Sequence, residues 1–214
     1  MFRKNSGSRL AQAILVAGVW ALTTASVHAA ETIILLRHAE KPEAGLGQLN
    51  CQGLNRALAL PSVLLRKFGT PSAIYAPNPG IMKADRGIEY NYLRPLATIE
   101  PTAIAANLPV NTQFGFDDIG QLKAALMSPQ YENATLFVAW EHHMLNKMAH
   151  DLMVELGDIS AEIPEWISDD FDSLYIISVE TLPDGTRKAS FRTDYQGLND
   201  MPKSCRNSDS GNTP

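Results

Sequence analysis

The sequence predicts an α/β fold: a three-layer α/β/α arrangement with a mainly parallel sheet and an antiparallel edge hairpin. Two observations point that way. Short aliphatic runs at Thr32–Leu36, Ala73–Ala76 and Thr135–Ala139 alternate with longer segments of helical periodicity, and such runs read as strands buried on both faces. Strands that alternate with helices pair in parallel, because each crossover helix must return the chain to the same edge of the sheet. Near the C-terminus, Leu174–Glu180 and Arg187–Arg192 flank Thr181-Leu-Pro-Asp-Gly185, a hairpin turn sequence.

The chain has 214 residues, 45% hydrophobic and 19% charged, which suits one domain with a sizeable core. Arg3, Lys4 and Arg9 precede an apolar segment from Leu10 to about Ala25, followed by Val27-His28-Ala29-Ala30. This is the pattern of a secretory signal peptide over residues 1–29, with Val27 and Ala29 as the small residues before the cut. A retained anchor is the alternative, against which the apolar segment is shorter than the ~20 residues of a membrane span. Residues 30–206 are then the folded domain and 207–214 a polar, disordered tail. Loss of Arg3, Lys4 and Arg9 takes the formal charge from −5 to −8. So acidic a protein is a poor binder of nucleic acid or anionic lipid, and it captures an anionic substrate only through a local basic pocket. The expected setting is secreted or periplasmic, with no membrane association after cleavage. In that setting Cys51 and Cys205 are expected to form a disulfide.

The elements follow in order. Beyond the first strand, Glu43–Leu49 is a glycine-punctuated loop, and Asn50 stands where a helix N-cap is wanted. Leu54, Leu58, Leu64, Leu65 and Phe68 recur at near-helical spacing up to Gly69. Ala73–Ala76 is a second strand, and Pro77-Asn-Pro-Gly80 opens a loop to about Tyr90. Leu93-Arg94-Pro95 starts a second helix, with Pro101 as a point where it kinks or splits. Leu108–Val110 is a short strand, Asp117 or Asp118 caps a helix to Met127, and Thr135–Ala139 is a further strand. A helix from about Met144 to Leu156 is stopped by Gly157.

Two of these strands end in histidine: Leu36-Arg37-His38 and Trp140-Glu141-His142. Parallel neighbours bring their carboxyl ends to one edge, where ligands of open α/β sheets bind. Arg94, opening a helix after another strand, can face the same edge. Two guanidiniums, two imidazoles and helix N-termini around one point describe an oxyanion site, since arginine's planar fork binds two oxygens and stays charged.

Arg37-His38-Ala39-Glu40 resembles the Arg-His-Gly signature of the histidine phosphatase (phosphoglycerate-mutase-like) superfamily, with Ala39 in place of the glycine. Arg94-Pro-Leu-Ala-Thr98 resembles its second-arginine segment, and Val138-Ala-Trp-Glu-His142 the strand that delivers its second histidine; the likeness spans about Thr32 to Leu156. It implies a metal-independent phosphohydrolase without cofactor, acting on small phosphorylated substrates through a phosphohistidine. His38 is then the nucleophile, its other ring nitrogen donating to a backbone carbonyl. Arg37, Arg94 and His142 hold the phosphoryl oxygens. Glu141 is the first candidate to protonate the leaving group, with Glu100, Asp117 and Asp118 as alternatives. Glu141 needs a sharp turn at the strand end to share the pocket with His142. A phosphatase is expected over a mutase.

Other readings are weighed on the same residues. Glu40, Glu141, His142, His143 and His150 include enough ligands for zinc, but their spacing is not His-Glu-x-x-His and the arginines repel a cation. A catalytically silent module that keeps the anion pocket is the remaining alternative. Trp140 is expected to pack, His143 and His150 to lie on the surface, and Lys41 to be exposed at the pocket rim. The loops Glu43–Leu49 and Pro77–Leu93 are the expected specificity surface.

Overall fold

The structure, a computed structural model, describes residue 1 and residues 30–156 and 162–205. The expected signal peptide beyond Met1, the stop at Gly157 and the expected tail over 207–214 lie outside the described residues. No described helix is long and apolar enough to cross a membrane.

The elements in chain order are β1 (Ala30–Arg37), α1 (Cys51–Phe68), β2 (Ala73–Tyr75), β3 (Met82–Asp85), β4 (Ile88–Asn91), α2 (Arg94–Ala106), β5 (Val110–Asn111), α3 (Ile119–Leu126), β6 (Thr135–Trp140), α4 (His142–Glu155), β7 (Ser173–Thr181) and β8 (Arg187–Tyr195). A six-stranded sheet runs in the order β5-β2-β6-β1-β7-β8, and β3 and β4 form a separate two-stranded sheet. Pairings among β5, β2, β6 and β1 are parallel; β7 is antiparallel to β1, and β8 to β7. This is the expected α/β class, with the β7–β8 hairpin as the antiparallel edge of a mainly parallel sheet.

Alternation along β1 divides the core. Ile33 and Leu35 pack with Leu122, Leu126, Leu145 and Met148 of α3 and α4, whereas Ile34 and Leu36 pack with Leu60, Leu64, Ile99 and Ala103 of α1 and α2. The sheet is therefore covered on both faces, giving three layers. The chain leaves β1 toward α1 on one face and leaves β6 toward α4 on the other. A crevice opens between the carboxyl ends of two parallel neighbours with opposite exits, the topological switch point of an open α/β sheet.

Local chemistry explains most boundaries. Asn50 caps α1, its Oδ1 accepting from Gly53 N at 2.8 Å, and Gly69 ends it with φ 73°. The face of α1 differs from the leucine pattern: Leu54 and Leu58 are 43% and 57% exposed, and Ala57, Leu60, Val63 and Leu64 are buried instead. The leucine pattern mixed two faces of the helix, and β6 and α2 cover only one. Pro101 does not split α2, which runs unbroken through it. Cys51 and Cys205 form the expected disulfide, with Cα atoms 4.7 Å apart.

The stretch expected to be loop after Pro77 contains the β3–β4 hairpin, closed by Arg86 and Gly87, both at positive φ. Such turns are announced by Asn-Gly or Asp-Gly, and an arginine at the first turn position hides the signal.

The loop after β1 is pinned to α1. Asn50 N–H donates to Glu40 O at 3.0 Å, and a Cβ on Gly53 would stand 2.2 Å from that same oxygen. We expect Gly53→Ala to cost about 1–3 kcal/mol in urea denaturation and to weaken phosphate binding, by displacing the chain that carries His38; an unchanged midpoint would contradict the close approach.

Candidate active site

Arg37 is the last residue of β1 and pairs in register with Trp140, the last of β6. His38 N–H continues the ladder to Trp140 O at 3.0 Å, so the two chains reach the crevice together. His38 is 3% exposed. Its Nδ1 lies 2.8 Å from Ala39 O. A carbonyl only accepts, so in the neutral ring Nδ1 carries the proton and Nε2 keeps its lone pair. Burial, and then the positive charge of Arg94 and Arg37, hold the His38 pKa well below its ordinary value. The ring is a neutral imidazole at neutral pH.

Arg37 is held from the other side by the loop before β7. Its guanidinium donates to Ser168 O and, at 3.2 Å, to Asp170 O, and stacks 4.0 Å from the Phe171 ring. Arg94 opens α2 and is 3% exposed. Its Nη1 meets Asp85 Oδ2 at 2.6 Å, and Asp85 Oδ1 takes Lys41 at 2.8 Å. Lys41 is thus tied to a carboxylate of the hairpin. Thr98, four residues after Arg94, accepts from Ala39 N at 2.9 Å and donates to Arg94 O at 2.8 Å. One buried hydroxyl locks the first turn of α2 to the residue after His38.

The strand end at Trp140 supplies the sharp turn that Glu141 and His142 require. Glu141 is extended at φ −84°, ψ 131° and caps α4, its Oε2 accepting from Met144 N at 3.0 Å; His142 is the first helical residue, two positions earlier than the sequence suggests. The Glu141 and His142 side chains meet, Oε1 lying 2.8 Å from Nδ1, though without the alignment of a hydrogen bond. Burial alone would raise the Glu141 pKa, but His142, the Met144 N–H and Lys83 outweigh it and bring it down to about 2. The residue expected to give up a proton is held as a carboxylate.

Tyr92 completes the wall. Its ring stands edge-on to His38 at 6.1 Å and to Phe116 at 5.7 Å, with Arg94 4.9 Å from its centroid. Arg37 Nε, Arg94 Nε, Tyr92 Oη and both His142 ring nitrogens are buried without a hydrogen-bond partner. Buried polar atoms are nearly always paired, so five orphans in one neighbourhood mark a place built for a ligand. Four of the five can donate whatever the tautomer: the guanidinium nitrogens, the phenol and one imidazole nitrogen. Such a set suits an acceptor-only group, an oxyanion.

The structure therefore brings Arg37, His38, Arg94, Glu141 and His142 into one cluster. The helix ends contribute less than expected. Leu93 and Arg94 N–H both donate to Gly47 O at 3.0 and 3.1 Å, and α4 is capped by Glu141, so those amides are engaged. Glu100 and Asp117 are exposed, and Asp118 accepts from Gly115 N–H at 2.9 Å. His143 and His150 are exposed and Trp140 is fully buried, donating to Phe116 O at 2.7 Å. Glu141, His142 and His143 offer ligand atoms within 4.8 Å of one another, whereas Glu40, the other acid considered for zinc, is gripped by Arg56.

Asp85, Lys83, Tyr92 and Phe171 escaped the sequence reading. The first two lie two apart on β3, a period that would have placed them on one face had the hairpin been visible. We expect Thr98→Val, nearly isosteric, to leave Ala39 N–H buried and unsatisfied, costing about 1–3 kcal/mol and weakening vanadate inhibition; inhibition equal to wild type would show that Arg94 is positioned without it.

No protein-family model and no curated protein sequence matches the chain. Among solved structures it is similar to mycobacterial hydrolase 2 (12% identity, TM-score 0.49, covering 77% of this chain and 89% of that one). It is similar also to a mycobacterial glucosyl-3-phosphoglycerate phosphatase in complex with inorganic phosphate (12%, 0.48, 77% and 95%) and to phosphoglycerate mutase from Plasmodium falciparum (13%, 0.42, 76% and 89%). The glucosyl-3-phosphoglycerate phosphatase and the phosphoglycerate mutase are members of the histidine phosphatase superfamily, the one that the sequence motifs resemble. The likeness is one of backbone course at low identity, and the chemistry has to be read from Arg37, His38, Arg94 and His142 themselves.

Proposed function

We propose that this protein is a phosphatase that hydrolyses phosphate monoesters through a phosphohistidine on His38. The observation that carries the reading is the set of buried, unpartnered polar atoms on Arg37, Tyr92, Arg94 and His142 beside a neutral imidazole of fixed tautomer. His38 Nε2 attacks phosphorus while Arg37, Arg94 and His142 hold the non-bridging oxygens, with Tyr92 adding a hydroxyl. Glu141 faces His142, its Oε1 2.8 Å from Nδ1, and so orients the ring. Water then cleaves the P–N bond and returns the free imidazole. The two guanidiniums supply the positive charge that a metal would otherwise bring, so the reaction is metal-independent. The substrate is a small phosphate ester, and the protein works outside the cytoplasm, secreted or periplasmic. The Cys51–Cys205 disulfide supports that setting.

The nucleophile is tested by trapping. Wild-type protein incubated with a phosphorus-labelled aryl phosphate and quenched in alkali retains an acid-labile label, and hydrolysis survives EDTA. His38→Ala keeps its fold and retains none. A label that persists in His38→Ala, or loss of turnover in EDTA, overturns the reading. Arg94→Lys, which exchanges a fork for a point charge, weakens vanadate inhibition by about tenfold or more, the equivalent of one charge-assisted hydrogen bond.

The pH dependence has a definite sign. The folded protein holds His38 neutral, with its pKa below the ordinary 6.5. Protonation therefore favours the unfolded chain, and the stability due to this ring, present above 6.5, is lost as pH falls toward the folded value. In a histidine NMR titration we expect the His38 ring to stay neutral below pH 6.5; titration at or above that value contradicts the burial argument.

A further inference from the structure

With Glu141 held as a carboxylate and Asp118 engaged by a loop amide, none of the acids expected from the sequence stands ready, among the described residues, to protonate the leaving group. The β3–β4 hairpin carries one candidate. Lys83 pairs with Tyr90 across the hairpin and lies two residues from Asp85, so the two share a face; that face is the one on which Asp85 grips Arg94. The Lys83 ammonium lies 4.1 Å from the Phe116 ring centroid and 5.5 Å from that of Tyr92, whose other neighbours are His38 and Arg94. Lys41 and Arg94 share Asp85, whereas Lys83 enters no ion pair among the described residues. It is a half-buried cation with its protons uncommitted, on the aromatic wall of the oxyanion site.

Its surroundings connect it to the pocket. The charges acting on Lys83 are Glu141 at the start of α4, Arg94 on α2, Asp117 in the loop before α3 and Asp85 on its own strand. Those acting on His38 are Arg94, Arg37 and Glu141. Arg94 and Glu141 act on both, so Lys83 and His38 border the same charged groups. In an in-line displacement the nucleophile and the leaving oxygen stand on opposite sides of phosphorus, so the donor has to come from an element other than β1, and Lys83 comes from β3. Burial lowers the pKa of Lys83 from its ordinary 10.5, making its ammonium a better acid.

We propose that Lys83 is the leaving-group proton donor, with the β3–β4 hairpin as its carrier. The inference rests on the phosphohistidine reading. In the first half-reaction the N–P bond forms at His38 Nε2 as the P–O bond to the leaving group breaks. The leaving oxygen takes a proton from the Lys83 ammonium, which becomes a neutral amine. In the second half-reaction water attacks phosphorus, the amine takes the water's proton, the P–N bond breaks, and both Lys83 and His38 regain their starting states. The preference that follows is for alkyl phosphates, whose alkoxides need protonation, over phosphates with good leaving groups.

The test compares Lys83→Met and Lys83→Arg with wild type on p-nitrophenyl phosphate and glycerol 3-phosphate, with circular dichroism to check folding. In Lys83→Met we expect kcat/KM for glycerol phosphate to fall about 100-fold or more, with less than about threefold change on the nitrophenyl ester. Lys83→Arg keeps the charge but holds its proton too tightly to donate, so it does not restore glycerol phosphate hydrolysis. The alkaline limb of the wild-type glycerol phosphate profile lies below pH 10.5 and is missing from the nitrophenyl profile. Equal losses on both esters, or full rescue by arginine, overturn the proton-donor role and leave the phosphohistidine reading intact. A wild-type protein that hydrolyses neither ester and traps no label overturns both.

Discussion

Everything at the site depends on the parallel pairing of β1 with β6. Six consecutive register partners end at Arg37 and Trp140, and one further hydrogen bond carries the pairing through His38. A slip of one residue would move Arg37 and His38 to the opposite faces of the sheet. The register is protected by the core, because Ile33 and Leu35 fit only the α3–α4 face, and Ile34 and Leu36 only the α1–α2 face. Hydrophobic packing therefore sets the aim of two polar side chains that take no part in it.

A second constraint holds the loops that the strands do not reach. Arg56 is 1% exposed and forks onto Glu40 at 2.7–3.1 Å, with its other arm on Asp172 and Gln196 at 3.0 Å. Asp172 also accepts from Gly197 and Leu198 N–H. A buried charge is tolerated only when paired and hydrogen-bonded on every side, and this one is. The network joins the residue two after His38 to the segment whose carbonyls hold Arg37. It is a frame for the site, made of groups that face away from it.

Much of this was legible in the sequence because it rested on runs and spacings. Aliphatic strands ending in Arg-His and Glu-His, and Thr98 one helical turn after Arg94, are local patterns with local causes. What stayed hidden depended on partners distant in sequence. Asp85 acquires its meaning from Arg94 and Lys41, and the Arg86-Gly87 turn lacks the residues that announce a hairpin. Leu54 and Leu58 mark the helix but not its buried face, because periodicity identifies a helix without saying how wide a face its neighbours cover. Glu141 can be placed at the strand end from the sequence, but its ionisation is set by the helix it caps and the histidine it meets.

The position of β1 between β6 and β7 has a consequence for how the molecule comes into being. Synthesis runs from the N-terminus, so this strand emerges first, yet one neighbour begins at Thr135 and the other ends at Thr181. Closing loops of that size is slow and must precede any gain from the contacts they bring. The emerging chain thus carries an aliphatic segment with both edges open until β6 has been made and one edge open until β7 follows, the condition in which holding factors and aggregation compete for a nascent polypeptide.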